Sequence, residues 1–188
     1  MLTLRIAKQI GKPGQSSTKV GRNLNSAAND CALDALAQGT IAPSVHATAI
    51  HPASIVEAFP SSFLGLLLGN PAAVPATRHD RSDRFYAFLA EGGQLGALVA
   101  SQLPGRRCAV SLRNVKNHDD RASLVCALTA LCLASGDYSA VGNDSDGWII
   151  LPPLRFIAPW AIPALRANED GNLRGRFVSW NHGRQLVL

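Results

Sequence analysis

Three carboxylates and one histidine are the residues whose types and spacing fit metal-assisted chemistry. Glu57 lies inside an apolar segment, and Asp119 and Asp120 follow His118 at the start of a long apolar run. Acids from a strand and from a helix start are typical ligands of a hard cation such as Mg²⁺ or Mn²⁺. Two such ions about 4 Å apart activate water and stabilise the leaving oxygen in phosphodiester cleavage. Glu57, Asp119 and Asp120 are therefore candidate metal ligands, and His118 is a candidate for proton transfer or product release.

Each carboxylate also has an explanation that needs no function. A carboxylate among apolar residues is costly to desolvate, so Glu57 would need a compensating cation, donor or proton. On a wet strand face it would pair with an arginine, for which the candidates are Arg78, Arg81 and Arg113. Aspartate at a helix start accepts hydrogen bonds from free N–H groups, which would explain Asp119 or Asp120 as the N-cap. Only one residue can be the cap, so the combination of acids is more informative than either alone.

Other sequence patterns give weaker signals for a site. Phosphate-binding glycine motifs, the serine-hydrolase GxSxG motif and zinc-type histidine spacings are absent. The cysteines contain no CxxC pair and are interpreted as small core residues: Cys31, Cys108, Cys126 and Cys132. Residues 144–147 resemble a calcium loop, but turn chemistry explains them. A basic C-terminal end with an aromatic residue either follows a nucleic-acid backbone or forms a solvated hairpin face: Arg174, Arg176, Trp180, His182 and Arg184.

Apolar spacing and chain breakers predict the elements that position these residues. Before residue 118 they are a helix over 23–38, a buried strand over 53–60, a helix over 63–68, a helix capped by Ser82, a helix over 94–103 and a short strand around 108–110. A long helix then runs from Asp119 or Asp120 to Ser135, is buried on most sides and stops at Gly136. Strands over 138–141 and 148–151 form a hairpin, followed by an irregular helix over 155–166 and a last hairpin over 175–188.

Three of these segments together resemble a bacterial domain-of-unknown-function family of predicted RNase H-like nucleases. They are residues 54–60 (Ser-Ile-Val-Glu-Ala-Phe-Pro), 118–130 (His-Asp-Asp-Arg-Ala-Ser-Leu-Val-Cys-Ala-Leu-Thr-Ala) and 147–153 (Gly-Trp-Ile-Ile-Leu-Pro-Pro). The resemblance covers about residues 50–153. It implies an α/β fold with an RNase H-like mixed sheet flanked by helices, to which the predicted last hairpin adds a C-terminal extension.

The resemblance also implies a site. The family's proposed acids come from the first strand, from the strand that ends in Glu-x-x-Pro and from the start of the late helix. By position, Glu57 is the second acid and Asp119 or Asp120 the third, and Ala122 stands where some members have another acid. The family's first strands have no counterpart here, because the first acid is Asp30 in a helix-like context. The chain is then N-terminally truncated, displaced at its start, or completed by a partner subunit, and an open sheet edge would favour a homodimer.

Composition and charge limit the class of protein. A chain of 188 residues that is 47% hydrophobic and 16% charged can bury a core and is no disordered tail. No apolar run approaches the roughly 20 residues of a membrane span, and no signal-peptide pattern is present, so a cytoplasmic protein is expected. The net charge of +5 comes from residues 1–29, which hold five basic residues and no acid. We expect a flexible basic leader over 1–21 and a single domain over 22–188.

These observations lead to three functional hypotheses. The first is a divalent-metal-dependent nuclease, in which Mg²⁺ or Mn²⁺ supports hydrolysis of nucleic acid. The second is a non-catalytic member that binds nucleic acid or a protein, with salt-sensitive affinity supplied in part by the leader. The third is self-association through the open sheet edge.

Overall fold

The computed structural model describes residues 19–39, 41, 54–77, 80–143, 147–167, 176–182 and 184–186. Within these ranges the chain forms six α-helices and a five-stranded mixed sheet, which confirms the predicted α/β class. In chain order the elements are α1 (Lys19–Ala37), β1 (Glu57–Ala58), α2 (Pro60–Leu67), α3 (Arg81–Glu91), α4 (Gln94–Gln102), α5 (His118–Ala134), β2 (Asp137–Asn143), β3 (Gly147–Leu151), α6 (Ala161–Arg166), β4 (Arg176–Asn181) and β5 (Arg184–Gln185). Short 3₁₀ turns lie at Pro71–Ala73, Leu112–Asn114 and Leu154–Phe156.

The sheet has the strand order β1-β3-β2-β4-β5, with β1 parallel to β3 and the other pairs antiparallel. Successive residues of β2 and β3 are buried. Because side chains alternate between the two faces of a strand, both faces of the sheet centre are covered. Helix α5 packs against β1, β2 and β3, α2 against β3, and α6 against β4.

Both predicted hairpins are confirmed, but the second hairpin belongs to the main sheet and is not a separate C-terminal extension. Strand β4 pairs with the central strand β2 from Asp137↔Asn181 to Gly142↔Arg176 and is therefore part of the main sheet. In the first hairpin, Gly142 lies opposite Trp148, and a Cβ at Gly142 would collide with the backbone oxygen of Gly147. Only glycine allows the two strands to approach so closely at this point.

Helix α5 is buried on one face only, so the expectation that it is buried on most sides was wrong. Its buried residues recur at three- and four-residue steps: Val125, Leu128, Thr129, Cys132 and Leu133. Its opposite face is exposed and made of small residues: Ser123, Cys126, Ala127, Ala130 and Ala134. Gly136 ends the helix as predicted, with φ +70 and its N–H donating to the carbonyl of Leu133 at 3.0 Å.

The first strand and the cap of α3 also differ from the prediction. Within residues 54–60, the described part of the expected strand over 53–60, pairing is limited to Glu57–Ala58 and a single bridge at Ser54, because Pro60 already begins α2. Helix α3 begins at Arg81 after Asp80, so Ser82 is not its cap. The Asp80 carboxylate accepts hydrogen bonds from the N–H and hydroxyl of Thr77, at 2.6 and 2.7 Å.

Three further expectations were wrong or lie partly outside the described residues. The predicted strand around 108–110 is an exposed loop, since no neighbouring strand pairs with it. The expected leader over 1–21 is described only from Lys19 onward, where α1 has already begun. The cysteines do not all lie in the core: Cys132 is buried, whereas Cys31, Cys108 and Cys126 are exposed.

In the part of the chain that the structure describes, no helix is both long and apolar enough to cross a membrane.

A buried polar network connects α4, α5, β2 and the turn Leu154–Phe156. The Asp137 carboxylate, whose side chain is 2% exposed, accepts two hydrogen bonds from the Arg155 guanidinium at 2.7 and 2.6 Å. It also accepts one from the Gln102 amide at 2.6 Å, and Gln102 in turn accepts one from the Ser135 hydroxyl at 2.6 Å. The buried charge is thus paired and hydrogen-bonded, as a buried carboxylate must be.

Removal of the Arg155 cation is expected to destabilise the fold. In Arg155→Leu the Asp137 carboxylate stays buried with only Gln102 as partner, which costs about 3 kcal/mol of the free energy of unfolding in urea. Arg166→Gln, which removes an exposed arginine of α6, is the control and should change the free energy far less. An equal loss in both variants would contradict the role given to the pair.

Candidate active site

The starts of α2, α3 and α5 meet at one place in the fold. Pro60, three residues after Glu57, lines a small cavity of about 10 Å³ together with Asp83, His118, Arg121 and Ala122. Helix α5 also contacts β1. The strand that carries Glu57 therefore ends beside the helix that carries the other predicted site residues.

Glu57 is the first residue of β1, where it pairs in register with Ile149 of β3. Glu57 as a whole residue is exposed, but its carboxyl group is partly buried against the protein. This burial disfavours the ionised form and raises the pKa of Glu57 above its ordinary value. Within the described residues no ion pair involves Glu57. Of the arginines predicted to pair with it, Arg113 instead donates to the carbonyls of Ala90 and Glu91, and Arg78 lies outside the described residues.

Asp119 and Asp120 lie in the first turn of α5 and are exposed, but neither is the N-cap. The cap is Asn117, whose side-chain oxygen accepts from the N–H groups of Asp119 at 2.8 Å and of Asp120 at 3.2 Å. The explanation of one aspartate as the cap was therefore wrong, because asparagine satisfies the same free N–H groups. Both carboxylates remain available for other partners while complementing the positive end of the helix.

His118 is held by a carboxylate that was not predicted as part of the site. Its Nδ1 lies 2.8 Å from Oδ2 of Asp83 in the first turn of α3. An ionised carboxylate has no proton to donate, so Nδ1 carries the proton and donates to Asp83. This bond orients the ring, and Nε2 is then the nitrogen that can accept a proton.

Arg121 fixes Asp83 from the other side. Its Nη1 lies 3.3 Å from both Oδ1 and the backbone oxygen of Asp83, and its Nε donates to the carbonyl of Val115 at 2.9 Å. The guanidinium also lies over the Tyr86 ring, 5.3 Å from the centroid. Arg121 is only 14% exposed, so these contacts hold the Asp83 carboxylate in a defined position beside His118.

No sequence signal distinguishes Asp83 from an ordinary first-turn acid of a helix. It is 35 residues from His118 in the chain, and only the packing of α3 against α5 brings the two together. The same holds for Arg121, whose position within the Asp-rich helix start gives no indication of its partner.

The described residues contain no group of three or more His, Cys, Asp and Glu side chains that could hold a metal ion. Mg²⁺ retains several waters and is commonly bound through one or two carboxylates, so it does not require three protein ligands. Glu57, Asp119 and Asp120 are oxygen donors of the type that such a hard cation prefers, although they do not form one group of three ligands in this structure.

Neutralisation of Glu57 is expected to stabilise the protein in a pH-dependent way. Because its pKa is raised in the folded state, the ionised form penalises folding, whereas the protonated form does not. Glu57→Gln should therefore have a higher free energy of unfolding than wild type at pH 7 in EDTA. The difference should vanish as the pH falls below the ordinary value of 4.5, at which wild-type Glu57 becomes protonated in both states. Glu91→Gln is the charge-matched control, and a gain independent of pH would contradict the burial of the Glu57 carboxyl.

The chain was compared with protein-family models, with curated proteins and with solved structures, and none of them matches it.

Proposed function

We propose that this protein is a divalent-metal-dependent nuclease of RNase H-like type that hydrolyses phosphodiester bonds in nucleic acid. The proposal rests on the resemblance of residues 54–60, 118–130 and 147–153 to the family of predicted nucleases. The structural observation that supports it most is the contact of α5 with β1, the strand that carries Glu57.

Glu57, Asp119 and Asp120 are the residues that would hold Mg²⁺ or Mn²⁺. When bound, the metal supplies an activated water and stabilises the charge that develops on the phosphodiester oxygens. The raised pKa of Glu57 is a cost to the apo protein that a cation would offset, since the ionised carboxylate then gains a partner. The exposed positions of Asp119 and Asp120 leave their oxygens accessible to an ion and its waters.

His118 has a different role in the proposal. Asp83 holds its Nδ1–H, so Nε2 accepts a proton from water or, once protonated, returns it to the leaving oxygen. Arg121 acts on this step only through Asp83, which it holds in place. Asp83 and Arg121 are accordingly positioning residues.

Titration calorimetry with Mn²⁺ tests the metal ligands. Wild type is expected to bind Mn²⁺, and Glu57→Gln is expected to lose this binding, because the substitution removes a charged oxygen ligand with little change in shape. Asp119→Asn and Asp120→Asn should weaken it. Asp34→Asn removes an exposed carboxylate of α1 and is the control. Binding by Glu57→Gln equal to that of wild type would overturn the ligand assignment.

Cleavage of labelled single-stranded RNA and DNA with and without Mn²⁺ tests the activity itself. Glu57→Gln should be inactive, whereas His118→Ala should retain Mn²⁺ binding and lose about 100-fold in kcat, the typical contribution of a general acid or base. Salt-sensitive binding of the polymer without cleavage would instead favour the non-catalytic member of the same fold.

A further inference from the structure

A second cavity lies away from His118. It is a cleft of about 370 Å³ between α4 and the loop that follows it, and the loop residues 106–113 form one wall. Its volume is in the range of sites that bind small molecules. The end of α3, at Ala90, contributes to its lining.

The cleft is positively charged. Three arginines line it, Arg106, Arg107 and Arg113, and none of the acidic residues that the structure describes does. Arg113 is fixed in place, since its Nε and Nη2 donate to the carbonyls of Ala90 and Glu91 at 3.3 and 3.0 Å. Arginine presents a planar fork of donors that matches phosphate geometry, so this lining is suited to a phosphate group.

The backbone of the same wall adds further donors. Residues 107–111 are an exposed loop, and within the described chain no hydrogen bond uses their N–H groups. Such free N–H groups bind anions when cations lie beside them. The lack of a neighbouring strand in the described chain also explains why the predicted strand around 108–110 does not form.

The floor of the cleft is apolar and open. It is formed by α4 residues without large side chains, including Gly96 and Ala100, and by Val99. A Cβ built on Gly96 would meet no atom within 4 Å, so the space above this residue is empty. Across the cleft Val110 is 59% exposed. An apolar floor with arginines at its rim fits a flat ring that carries a phosphate, because guanidinium planes also stack on nucleobases.

We propose that this cleft is a nucleotide-binding site, with the base against the floor at Gly96 and the phosphate at Arg106 and Arg107. The site goes beyond the nuclease proposal and does not depend on it, because binding needs no metal ion. The nucleotide is either a free ligand or one unit of a single strand. The position of α3 supports the single strand, because this helix extends from Asp83 at the candidate active site to Ala90 in the cleft. The two residues are about 10 Å apart along the helix axis at 1.5 Å per residue.

Binding is measured in EDTA with two probes, which removes any dependence on the metal site. The probes are adenosine 5′-monophosphate by calorimetry and a fluorescent oligothymidylate of about 12 nucleotides by anisotropy. The double variant Arg106→Gln/Arg107→Gln should weaken binding by about tenfold or more, the cost of lost charged hydrogen bonds. Arg84→Gln/Arg166→Gln loses the same charge from exposed positions elsewhere and should bind within about twofold of wild type.

Gly96→Leu tests the floor without removing a charge. The new side chain enters empty space and leucine favours the helix more than glycine, so the midpoint of thermal unfolding should not fall. The variant should nevertheless lose binding of the nucleotide, because the leucine occupies the space assigned to the base.

The relative affinities of the probes identify the source of the nucleotide. Tight binding of the monophosphate, which displaces the oligonucleotide, assigns the cleft to free nucleotides. Binding of the oligonucleotide alone assigns it to a strand. The proposal is overturned if neither probe binds wild type, if the arginine variant binds as well as its control, or if Gly96→Leu binds as well as wild type.

Discussion

The buried carboxylate of Asp137 is the point at which four parts of the structure meet. It begins the central strand β2 and binds Arg155 after β3, while Gln102 reaches it from the end of α4. Ser135, just after α5, completes the network through Gln102. Because a buried charge must keep its partners, the ends of α4 and α5 and the chain that leaves β3 are held in one arrangement around the start of the sheet.

That arrangement decides where the candidate active site lies. With β2 fixed at the centre of the sheet, β3 follows as its hairpin partner and β1 pairs with β3 at the edge. Helix α5 packs across β1, β2 and β3, so its first turn arrives beside the start of α2 at Pro60. Asn117 provides the cap of α5, which leaves the carboxylates of Asp119 and Asp120 unused by the helix. Neither aspartate is therefore needed as the cap of α5, because Asn117 takes that role.

Helix α3 links the two candidate sites. Its first turn supplies Asp83, which orients His118 and is itself held by Arg121. Its last residues supply the carbonyls that fix Arg113 at the basic cleft. One short helix thus contributes to both the candidate active site and the basic cleft.

The sequence alone predicts the α/β class, both hairpins, the helices over 23–38 and 94–103 and the Gly136 stop, because local apolar spacing and chain breakers encode these features. It also singled out Glu57, Asp119, Asp120 and His118 by residue type, although their grouping as a metal site stays a prediction. Three features depend on tertiary packing alone. Strand β4 lies beside the central strand, Asp83 holds His118, and Asp137 binds Arg155. These pairs are separated by 18 or more residues in the chain. Local patterns carry no information on which distant groups a fold brings together, because that choice is made by the packing of whole elements against one another.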